Sequence, residues 1–196
     1  MKTVVLHLIN VEQIKPCKRK IYLYIDKSRR QNVDAYKCED DKLRSLGAGY
    51  LLKKYLPHTK IKISSDRKPY IYDGPFFNLS HSGRYALLAI DQEREIGVDI
   101  ERINPERSAF IAQMNPEYAD DPEAVFRIWS NKESLTKCRG TGIKEIRDTD
   151  GLPLEGVRTF KEKTYYTRSL IYQGYAISVT LEGEEPFDIK IEEVKI

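Results

Sequence analysis

Ile96-Gly97-Val98-Asp99-Ile100-Glu101 is the stretch from which the organisation of this chain can be read. Side chains alternate along a strand, so Val98 and Ile100 take one face while Asp99 and Glu101 share the other. Upstream, Tyr85 to Ile90 reads as a second strong strand, with the charged turn Asp91 to Glu95 between the two. Downstream, Val125, Ile128, Trp129 and Leu135 recur at helical spacing. They predict a helix from about Pro122 to Cys138, with Pro122 near its first turn and Gly140 just past its end.

Further out the pattern is less uniform. Val4 to Ile9 and Ile21 to Ile25 alternate as strands, joined through a polar turn near Pro16. Leu43, Leu46, Tyr50, Leu51 and Tyr55 predict a helix over Cys38 to Leu56 that Pro57 ends. Ile61 to Ile63, Tyr70 to Tyr72 and Phe76-Phe77 read as short strand pieces, and Asn78 to Gly83 as a polar turn. Residues 102–122 hold Asn104-Pro105, Asn115-Pro116 and Asp121-Pro122 and read as an irregular connector. Thr164 to Ile171 and Tyr175 to Leu181 predict a hairpin, and Phe187 to Val194 a last strand. Gly83-Arg84-Tyr85-Ala86 echoes Gly174-Tyr175-Ala176, each late in a helix-then-strands series. Two similar α+β halves packed as a pseudo-dimer, residues 1–101 and 102–196, would explain that echo.

Bulk properties narrow the function. The 33 basic and 30 acidic residues leave a net charge of only +3, so affinity for an anion must come from a local arrangement of cations. The basic run Lys15, Lys18, Arg19 and Lys20, near Tyr22 and Tyr24, suggests a nucleic-acid surface but fits a solvated turn better, so no nucleic-acid partner is expected. Cys17, Cys38 and Cys138 form no C-x-x-C pair, which argues against a disulfide framework or structural zinc and for a reducing cytoplasm. The apolar run at Val4 to Ile9 is broken at His7 and too short for a secretory signal. No stretch approaches the roughly 18 apolar residues of a membrane span, so no membrane association is expected.

Three constellations carry chemistry. Asp99 and Glu101 have roots about 7 Å apart on one strand face and repel unless a cation lies between their tips; hard oxygen ligands of this kind suit Mg²⁺, although a solvated outer face is the plainer reading. On the helix, Lys132 falls inside the apolar arc, where an ammonium is better explained by an anion beyond the core. Glu133 and Lys137, at i and i+4, form an ordinary ion pair or the edge of a site. Ser80, His81 and Ser82 offer successive donors able to hold a phosphate, and no G-x-S-x-G elbow accompanies them.

Taken together, Lys68-Pro69, Asn78 to Gly83, Gly97 to Glu101, Trp129 to Lys137 and Gly140-Thr141-Gly142 resemble, in order and spacing, the 4'-phosphopantetheinyl transferase family of the surfactin-synthetase-activating type. The resemblance spans residues 66–142 and implies the pseudo-dimeric α+β fold and a monomer. It implies Asp99, Glu101 and Glu133 as Mg²⁺ ligands. Lys68, Ser80, His81, Lys132 and Lys137 would hold the phosphates of coenzyme A, with Arg29 and Arg44 near the nucleotide's 3'-phosphate. Asn32 replaces a further family cation, and the connector from Ile103 to Val125 is shorter and poorer in aromatics than usual. The implied reaction moves phosphopantetheine onto a serine of an apo acyl or peptidyl carrier protein of fatty acid, polyketide or nonribosomal peptide synthesis, releasing 3',5'-ADP. Glu133 would be the base, directly or through a metal-bound water, Lys137 the stabiliser of charge on the departing phosphate, and Asp99 the essential metal holder. The alternative is a noncatalytic carrier-protein or nucleotide-binding module of the same fold.

Overall fold

The computed structural model describes residues 1–113, 118–149 and 155–196. Strand β1 (Lys2–Asn10) leads through a 3-10 turn (Val11–Cys17) into helices α1 (Lys18–Tyr24), α2 (Lys27–Ala35) and α3 (Glu39–Tyr55). The small strands β2 (Ile61–Ile63) and β3 (Pro69–Ile71) precede β4 (Phe76–Ser82), β5 (Tyr85–Asp91) and β6 (Ile96–Arg102). Helices α4 (Pro105–Ala112) and α5 (Pro122–Arg139) follow, then β7 (Gly156–Phe160), β8 (Lys163–Tyr172), β9 (Tyr175–Glu182) and β10 (Phe187–Glu193). The class is α+β.

Two four-stranded sheets organise these elements, in the orders β10-β1-β5-β4 and β6-β9-β8-β7, with β2-β3 as a separate pair. Alternation explains how they stack. On β5, Ala86 and Leu88 pack with Leu43, Leu46 and Leu51 of α3, while Tyr85, Leu87 and Ala89 join Val98, Ile100, Ile177, Val179 and Leu181 of the second sheet. Helix α3, first sheet, second sheet and α5 therefore form four layers, and the inner strands β5 and β9 are buried on both faces. In each sheet a helix covers the second strand of a hairpin, and Tyr85 and Tyr175, which open those strands, meet edge to face at 5.0 Å between ring centres. Sheet pairing crosses the boundary drawn after residue 101: β6 pairs with β9, and β10 returns to lie parallel to β1.

Several local expectations give way. Ile21 to Tyr24 is helical rather than extended, with Ile25 the extended residue just past the helix end, because the two buried isoleucines, four residues apart, fit one helix face as well as they fit alternation. Asn78 to Ser82 belongs to strand β4, and only Gly83, at φ 53°, and Arg84 make the turn. Within the supposed irregular connector, Asn104 accepts from Glu106 N at 2.9 Å and caps α4, with Pro105 in its first turn. Asn-Pro, read as a breaker, is here a start signal. Asn115-Pro116 lies outside the described residues. Helix α2 escapes a sequence reading because only Val33 of its residues is buried.

Helix α5 meets expectation at both ends: Asp121 accepts from Ala124 N at 3.1 Å, and Gly140 closes it in the left-handed conformation at φ 82°. Its approach to β6 is set by Gly97, where an added Cβ would lie 2.0 Å from the Ser134 carbonyl oxygen and 2.3 Å from the Cys138 backbone nitrogen. Both neighbours are main chain, so the helix itself would have to move. Gly97→Ala should therefore destabilise the fold by about 3 kcal/mol or more, which urea denaturation of the variant against the parent measures.

Candidate active site

A cleft of about 550 Å³ opens where α2, α3, β4, β6 and α5 meet, lined among others by Arg29, Asn32, Ser80, His81, Asp99, Glu101, Glu133 and Lys137. The strand pattern sends Asp99 and Glu101 to this side while Val98 and Ile100 enter the core between the sheets. Helix α5 supplies Glu133 and Lys137 from one of its edges, as the i, i+4 spacing requires. Small residues give the cleft its room: Ser45 and Ala48, three apart on α3, form part of its wall. The run Ser45-Leu46-Gly47-Ala48-Gly49 was the one available sequence signal for that wall.

Lys137 sits among the acids. Its ammonium donates to Asp99 Oδ1 at 2.5 Å and to Ser80 Oγ at 3.1 Å, and stands 3.9 Å from Glu133 Oε2. Burial opposes its charge, but Asp99, Glu133 and Glu101 outweigh that and hold its pKa above the ordinary lysine value. Burial, reinforced by repulsion from Asp99, pushes the Glu101 carboxyl up to about 7. Glu133 is also raised, by burial and by Asp99, with Lys137 acting against both. His81 is held below the usual histidine value by burial and then by Arg44 and Lys137, so its imidazole is neutral at pH 7.

The donor set suits a hard divalent cation. Three carboxylates face one cavity, one ammonium does not neutralise them, and Asp99 Oδ2 is buried without a hydrogen-bond partner. The carboxylates have not closed on a point: among the described residues no three acidic, histidine or cysteine side chains stand close enough to hold a metal. Lys137 occupies the space between Asp99 and Glu133, which explains the spread.

Other residues marked from sequence lie around this centre. Arg29 lines the cleft, its Nε buried without a partner and its pKa lowered by burial. Arg44 is not among the lining residues and donates to Gly83 O at 2.9 Å and Asp41 Oδ1 at 2.6 Å. Lys68 is held by the Cys138 carbonyl at 2.6 Å and by Glu95, and lines two adjoining hollows that share Pro69 with each other. Lys132 is buried, as its place in the helical arc required, and interacts within the fold, but is not among the residues lining the cleft. The structure thus brings together Arg29, Ser80, His81, Asp99, Glu101, Glu133 and Lys137 in the cleft; Lys68 shares a neighbouring hollow with Lys137, and Arg44 and Lys132 are not among the residues lining the cleft.

Comparison with known proteins finds relatives of one kind. Residues 95–180, from the turn before β6 into β9, match the model of the 4'-phosphopantetheinyl transferase superfamily. The chain is similar to 4'-phosphopantetheinyl transferase Sfp of Bacillus subtilis, at 29% identity over 143 residues, covering 61% of this chain and 62% of Sfp. It is similar to 4'-phosphopantetheinyl transferase HetI of Nostoc sp., at 32% over 125 residues, covering 55% and 52% of the two chains. Similarity to 4'-phosphopantetheinyl transferase AcpT of Salmonella typhimurium reaches 37% over 87 residues, or 38% of this chain and 45% of AcpT. The matches therefore span less than two thirds of these relatives' own length. The resemblance read from the motifs is borne out.

The raised Glu101 pKa has a measurable consequence. Its folded value, about 7, exceeds the ordinary 4.5, so the folded protein holds this proton more tightly than the unfolded chain. Stability is fully present below pH 4.5 and is lost as pH rises through 7. In metal-free buffer, Glu101→Gln should gain about 3 kcal/mol over the parent at pH 8 and nothing at pH 4, checked by urea titration at both values.

Proposed function

We propose that this protein transfers the 4'-phosphopantetheine arm of coenzyme A to a serine of an apo acyl or peptidyl carrier protein, releasing 3',5'-ADP. The observation that carries the reading is the meeting, in one cleft, of three carboxylates from a strand and a helix with Lys137, Ser80 and His81. Acids alone would serve a cation, and cations alone an anion. Their interleaving suits a magnesium pyrophosphate, which presents both charges.

In this reading Asp99, Glu101 and Glu133 would hold Mg²⁺, which when bound supplies charge neutralisation and polarisation of the pyrophosphate. Ser80 and the neutral His81 would donate to phosphate oxygens, and Arg29, its Nε buried and unpartnered, would meet a further phosphate of the nucleotide. Lys68 borders the hollows next to the cleft, where the nucleotide end would extend. The parts for Arg44 and Lys132 in coenzyme A binding rest on the family resemblance alone, and Arg44 reaches the cleft through its field on His81.

The chemistry is a phosphoryl transfer, so the protein mainly positions groups and balances charge. The carrier serine oxygen forms a bond to the phosphorus bearing the pantetheine arm as the bond to the bridging oxygen of the ADP portion breaks. Glu133 would take the serine proton, directly or through an intervening water; burial raises its carboxyl pKa in the metal-free protein, and a cation held there would act against that. Lys137, held charged by its acidic neighbours, stabilises the negative charge that develops on the departing phosphate. The same reading takes the fold as two similar halves, supported by the matched helix-on-hairpin units and the Tyr85 and Tyr175 pair.

Incubation with coenzyme A, Mg²⁺ and a panel of apo carrier proteins, followed by intact mass measurement, tests the proposal. The phosphopantetheine mass should appear on a carrier with the parent protein. With Asp99→Asn, which keeps shape but loses the charge, the rate should fall at least about 100-fold, matching loss of a principal electrostatic group. Near-parental modification by that variant at low Mg²⁺ would refute the assignment of Asp99. Coenzyme A binding without transfer to any carrier would instead favour a noncatalytic module.

A further inference from the structure

Strands β4 and β6 are edges of different sheets, and no backbone ladder joins them. Side chains do the joining. Asn78 Oδ1 accepts from Val98 N at 3.0 Å, Ser80 Oγ from Ile100 N at 3.3 Å, and Ser82 Oγ from Arg102 N at 3.0 Å. Every second residue of β4 thus meets the residue 20 positions further on, in constant register.

The two serines make a second contact of the same form. Ser80 donates to Asp99 Oδ1 at 2.8 Å, and Ser82 donates to Glu101 Oε2 at 3.0 Å. A hydroxyl has one proton and two lone pairs, so accepting from the strand backbone leaves its single O–H for the carboxylate. At the first rung β6 offers Gly97 where the others offer an acid, and Asn78 there serves the backbone alone. Each serine thereby ties a carboxylate to the backbone amide of the next residue.

We propose that Ser82 is a positioning residue for Glu101, orienting its carboxylate in the cleft by holding Oε2. Glu101 needs such a guide. It is partly buried, is repelled by Asp99, and has no ion-pair partner within 4.0 Å among the described residues, whereas Asp99 is also held by Lys137. The inference rests on the cation-holding reading of the cleft. Ser80 stands in the same relation to Asp99 but also accepts from Lys137, so the clean test is at Ser82.

Mn²⁺ serves as the probe, its binding followed by loss of the free-ion electron paramagnetic resonance signal in the full chain. Ser82→Ala should weaken Mn²⁺ binding by roughly 10- to 100-fold, the usual effect of removing a hydrogen-bond partner of a metal-holding group. Ser82→Thr, which keeps the hydroxyl, should restore it, and the KM for coenzyme A at saturating metal should not change in either. Asn78→Ala removes a rung without touching an acid, so it should lower the melting temperature and leave Mn²⁺ affinity as in the parent. Parental Mn²⁺ affinity in Ser82→Ala would overturn the proposal. Equal weakening by Asn78→Ala would overturn it too, by assigning the effect to the seam and not to the contact. A parent protein that binds no Mn²⁺ would overturn the reading of the cleft, and this inference with it.

Discussion

The contact between the Lys137 ammonium and the buried Asp99 carboxylate governs the architecture around it. Asp99 is only 2% exposed, and a lone charge at that depth would be costly. Strand β6 must therefore lie where helix α5 can deliver a cation to it, and α5 can come that close only because Gly97 has no side chain. On its other side α5 meets β9 through hydroxyls: Ser130 with Ser178 at 2.5 Å, and Ser134 with Thr180 at 2.8 Å. Short polar side chains there keep the helix near the sheet and the Lys137 end in reach of the acid.

The same constraint explains the uneven charge of the cleft. One lysine cannot neutralise three carboxylates, and burial removes the water that would otherwise share the load. The excess appears as the upward shifts of Glu101 and Glu133 and as the orphaned Asp99 Oδ2. Charge of this kind would be relieved by a proton or by an arriving cation.

Where the two sheets meet at their edges, the molecule uses side chains in place of a ladder. An edge strand normally exposes unpaired amides, and β4 meets those of β6 with Asn78, Ser80 and Ser82. The seam between the sheets and the arrangement of the acids are thus one structure, and the cleft is as precise as the register of that seam.

Much of this was legible in the chain. Alternation in Ile96 to Glu101 and helical spacing in Val125 to Leu135 located the strand and the helix that carry the acids, because those periods are local properties of backbone geometry. The i, i+4 pair Glu133 and Lys137 could likewise be put on one helix edge from spacing alone. Asn78 to Ser82 was misread because Asn and Ser favour turns by bonding to nearby backbone, and the amides they serve belong to a strand 20 residues away. Sequence by itself determined the strand and the helix that carry the acids, their faces and the residue types of the site. Tertiary structure alone decided that Lys137 lies between Asp99 and Glu133, that Lys132 stays out of the cleft, and that β10 returns to β1. Those outcomes depend on burial and on distances between segments remote in the chain, and no local period encodes either.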